Sequence, residues 1–239
     1  MREIAFRNGA GVLLSGWLCL PEKTVAEKPP VVIYAHGLLS TGTGRKFHAL
    51  AERLPQEGVA LLTFDSHGRG RSAGDFRDFT LSRRIDGVAS AVRFAGTLEE
   101  IDSERILLVG SSFGGLASLL VVAAGAEVGA LALVSPALNL CSGKAPESLA
   151  AEGLPQRFYE DAARYDPHAE AEKITIPVLV VHGTDDEVVP ADHGRRLMSH
   201  LRDGTFVAVE GGDHRFEDER LFESMTTAVV EFLLRHAFA

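Results

Sequence analysis

Short, wholly apolar runs return along this chain at regular intervals, and a stretch with helical spacing follows almost every one. "PPVVIYAHG", "VALLTFD", "RILLVG", "VGALALVSPA" and "IPVLVVHG" are too uniformly apolar and β-branched to have one wet face. They read as strands buried on both sides. Between the first two, "RKFHALAERLPQEG" places Phe47, Leu50, Ala51 and Leu54 on one stripe and closes at Gly58. "LSRRIDGVASAVRFAGTL" does the same with Ile85, Val88, Ala89 and Val92. "FGGLASLLVVAAG", "DHGRRLMSHL" and "FESMTTAVVEFLLRHAF" read as further helices, and "GTFVAVEG" as a last strand. Before all of these, "EIAF" and "VLLSGWLCL" flank "RNGAG", whose Asn-Gly pair signals a hairpin. The alternation predicts an α/β fold: a mostly parallel central sheet of about eight strands, flanked by helices.

A chain of 239 residues, 46% of them hydrophobic, suits a single domain spanning 1–239. One stretch breaks the rhythm. Residues 138–173, "LNLCSGKAPESLAAEGLPQRFYEDAARYDPHAEAEK", are longer than an ordinary strand-to-helix link and partly helical, and are read as a short cap insert. The net charge of −9 is spread along the chain, with no basic footprint for nucleic acid. Cys19 and Cys141 fit no metal spacing and no disulfide framework, and are expected as free thiols of a reducing compartment. "MREIAFRNGA" lacks the apolar stretch of a signal peptide, and no segment is long and apolar enough to span a bilayer. The expectation is a cytoplasmic protein with no membrane or nucleic-acid partner; a homodimer is left open.

The chemistry centres on "VGSSFGGLASLL". Only Gly110, Ser112 and Gly114 satisfy G-x-S-x-G; centring on Ser111 would put Val109 and Phe113 where glycines are needed. A predicted strand precedes the motif and a predicted helix follows it, as a nucleophile elbow requires. The tight turn would lift the Ser112 oxygen above the sheet edge, at a helix N-terminus that favours developing negative charge. A serine nucleophile needs a base, and the base an orienting acid. Two downstream segments, each just past a strand, supply them: "VLVVHGTDDEVVP" with Asp185 and Asp186, and "VAVEGGDHRF" with His214. All three groups would then stand at carboxyl ends of parallel strands, where sites of open α/β sheets form.

With these residues in place, the whole chain resembles the α/β-hydrolase fold serine hydrolases. "HGTDDEVVP" resembles the family's H-G-x-x-D-x-x-V-P segment and puts Asp186, not Asp185, at the position of the triad acid. "GGDHRF" resembles the turn that carries the triad histidine, here His214. "YAHGLLST" resembles the loop after the third strand, which implies Leu38 as one oxyanion-hole amide; Phe113 is implied as the other. "DSHGRGRSAG" resembles the D-x-x-G-x-G-x-S loop of the superfamily. The short insert and "FDSHGRGRS" look most like small bacterial carboxylesterases of the cinnamoyl/feruloyl esterase type, although the position before the nucleophile, often histidine there, is Ser111.

The resemblance implies hydrolysis of small or medium acyl esters, aromatic acyl groups included, through an acyl-enzyme, with no metal or organic cofactor. His36 is expected to brace the oxyanion loop. Arg69, Arg71, Arg77, Arg83 and Arg84 are expected on a solvated loop and helix face. His182, Asp185, Asp186 and His214 could be drawn as a metal set, but a triad explains them more economically. Leu138, Leu140, Leu149, Leu154, Phe158 and Tyr159 are offered either as pocket lining or as packing of the insert on the body. A serine peptidase or acyltransferase with the same triad, and a non-catalytic binding protein on this fold, are the competing readings.

Overall fold

β-Branched residues crowd the apolar runs because an extended backbone leaves their stiff side chains room to pack. In the computed structural model, which describes residues 1–23, 27–142 and 154–239, those runs pair into one sheet. Its strands are β1 (Arg2–Arg7), β2 (Leu13–Cys19), β3 (Val31–Ala35), β4 (Ala60–Phe64), β5 (Ile106–Ser111), β6 (Leu131–Val134), β7 (Val178–Gly183) and β8 (Gly204–Val209). The spatial order is β1-β2-β4-β3-β5-β6-β7-β8. β2 runs antiparallel to both β1 and β4, and the pairs from β4 to β8 are parallel. The fold is that of an α/β-hydrolase, with a mostly parallel sheet as the sequence predicts.

The helices are α1 (Arg45–Arg53), α2 (Leu81–Ala95), α3 (Phe113–Ala123), α4 (Gln156–Ala162), α5 (Pro167–Ala171), α6 (Ala191–Leu197) and α7 (Glu219–Ala237). Strand side chains alternate between two cores. Val31, Ile33, Leu108 and Leu133 meet Val88 of α2, Leu116 of α3 and Leu197 of α6. Val32, Tyr34, Val109 and Val181 meet Phe47 and Leu50 of α1 and Met225, Val229 and Leu233 of α7. β3 leads to β4 on one side, and the chain then returns across it to β5. A crevice at the carboxyl ends of β3 and β5 follows from that reversal. Among the described residues, no helix is long and apolar enough to cross a membrane. Both cysteines are free thiols, Cys19 buried and Cys141 half-buried.

Three local details differ from the sequence reading. The opening hairpin forms, but its left-handed residue is Gly11 (φ 78°), not Gly9. Asn8 closes a longer loop by accepting the Val12 amide on its side chain at 2.8 Å. α2 turns a different stripe inward: Leu81, Arg84, Val88, Ala91 and Ala95 are buried, whereas Ile85 and Ala89 are half-buried. Arg84 is therefore not on a solvated face; it is 1% exposed. The described part of the insert packs against the body. Phe158 of α4 lies 5.4 Å from the Phe113 ring and 6.4 Å from Phe79, and Asp161 accepts from the Ser82 hydroxyl at 2.7 Å. Leu149 lies outside the described residues.

Candidate active site

The link from β5 to α3 is a single residue, Ser112, held at φ 53°, ψ −117°. A non-glycine residue with positive φ is strained and persists only where its surroundings hold it. Here its amide donates to the Val134 carbonyl at 2.8 Å, and its carbonyl accepts from Leu116 and Ala137. The flanking glycines are there for space. A Cβ on Gly114 would stand 2.1 Å from the Ala35 carbonyl oxygen, and one on Gly110 would stand 2.6 Å from the Gly114 oxygen. Ser111, still on β5, does not occupy the turn.

Asp186 and His214 arrive on two loops pressed together. A Cβ on Gly183, at the end of β7, would meet the Gly212 oxygen at 2.1 Å. The Asp185 amide donates to that same Gly212 carbonyl at 3.0 Å, and the Thr184 hydroxyl accepts from the Gly211 amide at 2.8 Å. This contact carries the β7 loop against the β8 loop. His214 Nδ1 lies 2.8 Å from Asp186 Oδ2, and its Nε2 lies 3.0 Å from Ser112 Oγ. Asp186 Oδ1 accepts the amides of Val188 (3.0 Å) and Val189 (2.7 Å). Asp185 is exposed, and its carboxylate accepts only the neighbouring Thr184 hydroxyl. Burial opposes the Asp186 charge, but the bonds from His182, His214 and Val189 win and hold its carboxyl well below the usual range.

Leu38 and Phe113 border the same space, and Gly37 lies beside the serine: a Cβ there would be in ordinary contact with Ser112 Cβ, at 3.4 Å. Among the described residues, neither the Leu38 nor the Phe113 amide has a hydrogen-bond acceptor. His36 fixes the loop beneath them. Its Nδ1–H donates to the Gly37 carbonyl at 2.7 Å, and its Nε2 accepts from the Ser66 amide at 3.1 Å. Arg84 reaches up from α2 to donate to the His36 carbonyl at 2.5 Å and to the Ser66 hydroxyl. Burial, reinforced by the Arg84 charge, keeps the His36 pKa well below its usual value, so the ring is neutral. Burial pushes Arg84 down to about 9, which leaves it charged at neutral pH. Asp65, from "DSHGRG", accepts the amides of Gly42 (2.8 Å) and Arg71 (2.9 Å), tying that loop to the oxyanion loop.

Ser112, His214, Leu38 and Phe113 border a cavity of about 530 Å³. Of the proposed insert lining, Leu140 alone among the described residues reaches it; Leu138, Phe158 and Tyr159 pack in the core and Leu154 packs against it. His182, drawn in the sequence as part of a metal set, donates from Nε2 to the Val189 carbonyl at 2.8 Å and lies 3.3 Å from Asp186 Oδ2. Its role as a partner of the acid was visible only as the H of the H-G motif. Arg84 left no sequence signal beyond its place in a helix, because arginine is rarely buried.

A family model described as serine aminopeptidase, S33 matches residues 26–164, and one described as TAP-like protein matches residues 158–237. The chain belongs to the serine aminopeptidase S33 family of α/β-hydrolases. This α/β-hydrolase is 28% identical to Est1E from Butyrivibrio proteoclasticus, solved with ferulic acid bound. The two superpose with a TM-score of 0.88 over 99% of this chain and 100% of the other. It is 29% identical to an uncharacterized protein, YfhR, of Salmonella typhimurium, over 89% of this chain and 74% of that one. It is also 27% identical to the palmitoyl-protein thioesterase ABHD10 of Mus musculus, over 84% of this chain and 74% of that one.

Proposed function

We propose that this hydrolase cleaves carboxylic esters through an acyl-serine intermediate. One observation carries the reading: His214 bridges Ser112 Oγ at 3.0 Å and Asp186 at 2.8 Å, while Leu38 and Phe113, whose amides have no acceptor among the described residues, line the same cavity as the serine. In this scheme His214 Nε2 takes the Ser112 proton as Oγ attacks the acyl carbon. Asp186 holds the ring tautomer and stabilises the imidazolium. The Leu38 and Phe113 amides receive the developing oxyanion, usually a large electrostatic contribution. His214 then protonates the departing alcohol, and water repeats the sequence to release the acid.

The likeness to Est1E supports a small or medium acyl group, aromatic ones included, and about 530 Å³ accommodates one. The cavity lining argues against an aminopeptidase. Such an enzyme must seat a substrate ammonium, yet among the described residues the lining brings Arg45, Lys46 and Arg215 against a single carboxylate, Glu217. The test is fluorophosphonate labelling with peptide mapping, followed by a panel of esters, a thioester and an aminoacyl amide. Labelling at Ser112 with ester turnover exceeding amide turnover is expected. Labelling elsewhere, or preferred cleavage of the amide, would overturn the reading.

A further inference from the structure

The chain carries a net charge of −9, yet one side of its cavity is cationic. Arg45 and Lys46 enter from the first turn of α1, and Arg215 from the residue after His214. Arg45 is already engaged: it donates to the Phe216 carbonyl at 2.9 Å, pairs with Glu219 at 2.9 Å and lies 3.7 Å over the Phe222 ring. Lys46 is different. Its ammonium lies 5.7 Å from the centre of the Phe216 ring, and among the described residues no carboxylate lies within ion-pair distance of it or of Arg215. Asp186 is committed to His214 and two amides, Asp213 accepts the Glu217 amide, and Glu217 is exposed. Burial, with the Arg45 charge, pushes Lys46 down to about 8. It remains mostly charged at neutral pH, offset only in part by the nearby Asp213 and Asp186 charges. Ala137, Leu140, Val188 and Val189, which belong to the core on the other face of the sheet, give the rest of the lining its apolar part, with Asn139 among them.

We propose that Lys46, with Arg215, binds a second, anionic group on the substrate, carried by the leaving-alcohol half of the ester. This rests on the ester-hydrolase reading above. The placement follows from the mechanism. The departing oxygen must reach His214 Nε2, and the cations stand beside the residues flanking His214, so the apolar part of the lining is left for the acyl chain. A carboxylate there would replace solvent around Lys46 with a charge-assisted hydrogen bond.

The test compares kcat/KM for three esters: phenyl pentanoate, 4-carboxyphenyl pentanoate and the phenyl hemiester of glutaric acid. The wild type should prefer the 4-carboxyphenyl ester over the phenyl ester by about tenfold or more, the worth of one hydrogen bond to a charged group. Lys46→Met should collapse that ratio, and Arg215→Gln should reduce it. Calorimetry with 4-hydroxybenzoate and phenol gives a readout that needs no turnover. The wild type should bind 4-hydroxybenzoate more tightly, and Lys46→Met should lose the difference. Equal affinities, a preference that survives Lys46→Met, or a preference for the hemiglutarate alone would overturn the proposal. Absence of ester turnover with the binding difference intact would sink the ester reading and leave the anion site standing.

Discussion

Two neighbouring serines and two neighbouring aspartates are told apart by one strained backbone turn and one carboxylate direction. Ser112 sits at the strained turn within reach of His214, and Asp186 faces the same ring, while Asp185 points to solvent. Ser112→Ala should therefore lower kcat for an ester by about three orders of magnitude or more, as loss of a triad member does, and Ser111→Ala should not. Asp186→Asn should cost far more than Asp185→Asn; equal losses would show that the acid is misassigned. The Asp186 carboxyl titrates below its unfolded value of about 3.9. Its contribution to stability is complete above that value and is lost as pH falls through the lower folded one. Turnover that fades at mildly acid pH would then not report protonation of Asp186. A profile of kcat against pH, run with Asp186→Asn beside the wild type, checks this.

At the scale of elements, the oxyanion loop is braced from below by α2 and from the side by the "DSHGRG" loop. Glycine marks where backbones touch. Gly114→Ala would drive a methyl group into the Ala35 and His36 carbonyls at 2.1 and 2.5 Å, with backbone on both sides and no flexible side chain to yield. Overpacking of this kind costs about 1–3 kcal/mol. In a chain of this size that lowers Tm by about 2–4 °C per kcal/mol, measurable by calorimetry. A Tm unchanged in Gly114→Ala would mean that the elbow and the oxyanion loop do not press together. His36 supplies a second test. It is buried and neutral, so the unfolded chain takes up a proton near pH 6.5 that the folded chain refuses. Stability should decline as pH drops below about 6.5, with His67, His168 and His193, also lowered by burial, adding to the slope. His36→Asn should flatten the Tm-against-pH curve between pH 7 and 5; an unaltered slope would contradict the neutral, buried assignment.

At the scale of the whole molecule, the strand and helix rhythm was legible because burial on both faces of a parallel sheet forces continuous apolar runs. The order Ser112, Asp186, His214 was legible because each lies just past such a run. What stayed hidden depends on rotation about an element's axis, or on distance in the sequence. Nothing in "LSRRIDGVAS" says that Arg84 and not Ile85 faces the sheet. Nothing local to Lys46 says that Arg215, 169 residues on, completes a cationic wall with it. The insert was legible as an interruption, but its side chains could serve a pocket or a core equally well. The packing of Phe158 on Phe79 and Phe113 places that residue in the core, while Leu140 borders the cavity.

His214 follows β8, and β8 is the last strand of the sheet, paired with β7 alone and half open to solvent. Ser112 follows an interior strand, while the histidine within hydrogen-bond distance of it hangs from the outermost one. Edge strands fray before a sheet's centre does. The molecule is thus built to fail as a catalyst before it fails as a fold. In a urea titration, ester turnover should vanish at a lower concentration than far-ultraviolet ellipticity, and amides of β8 should exchange with deuterium sooner than those of β5. Coincident transitions would mean that β8 and the central strands come apart together.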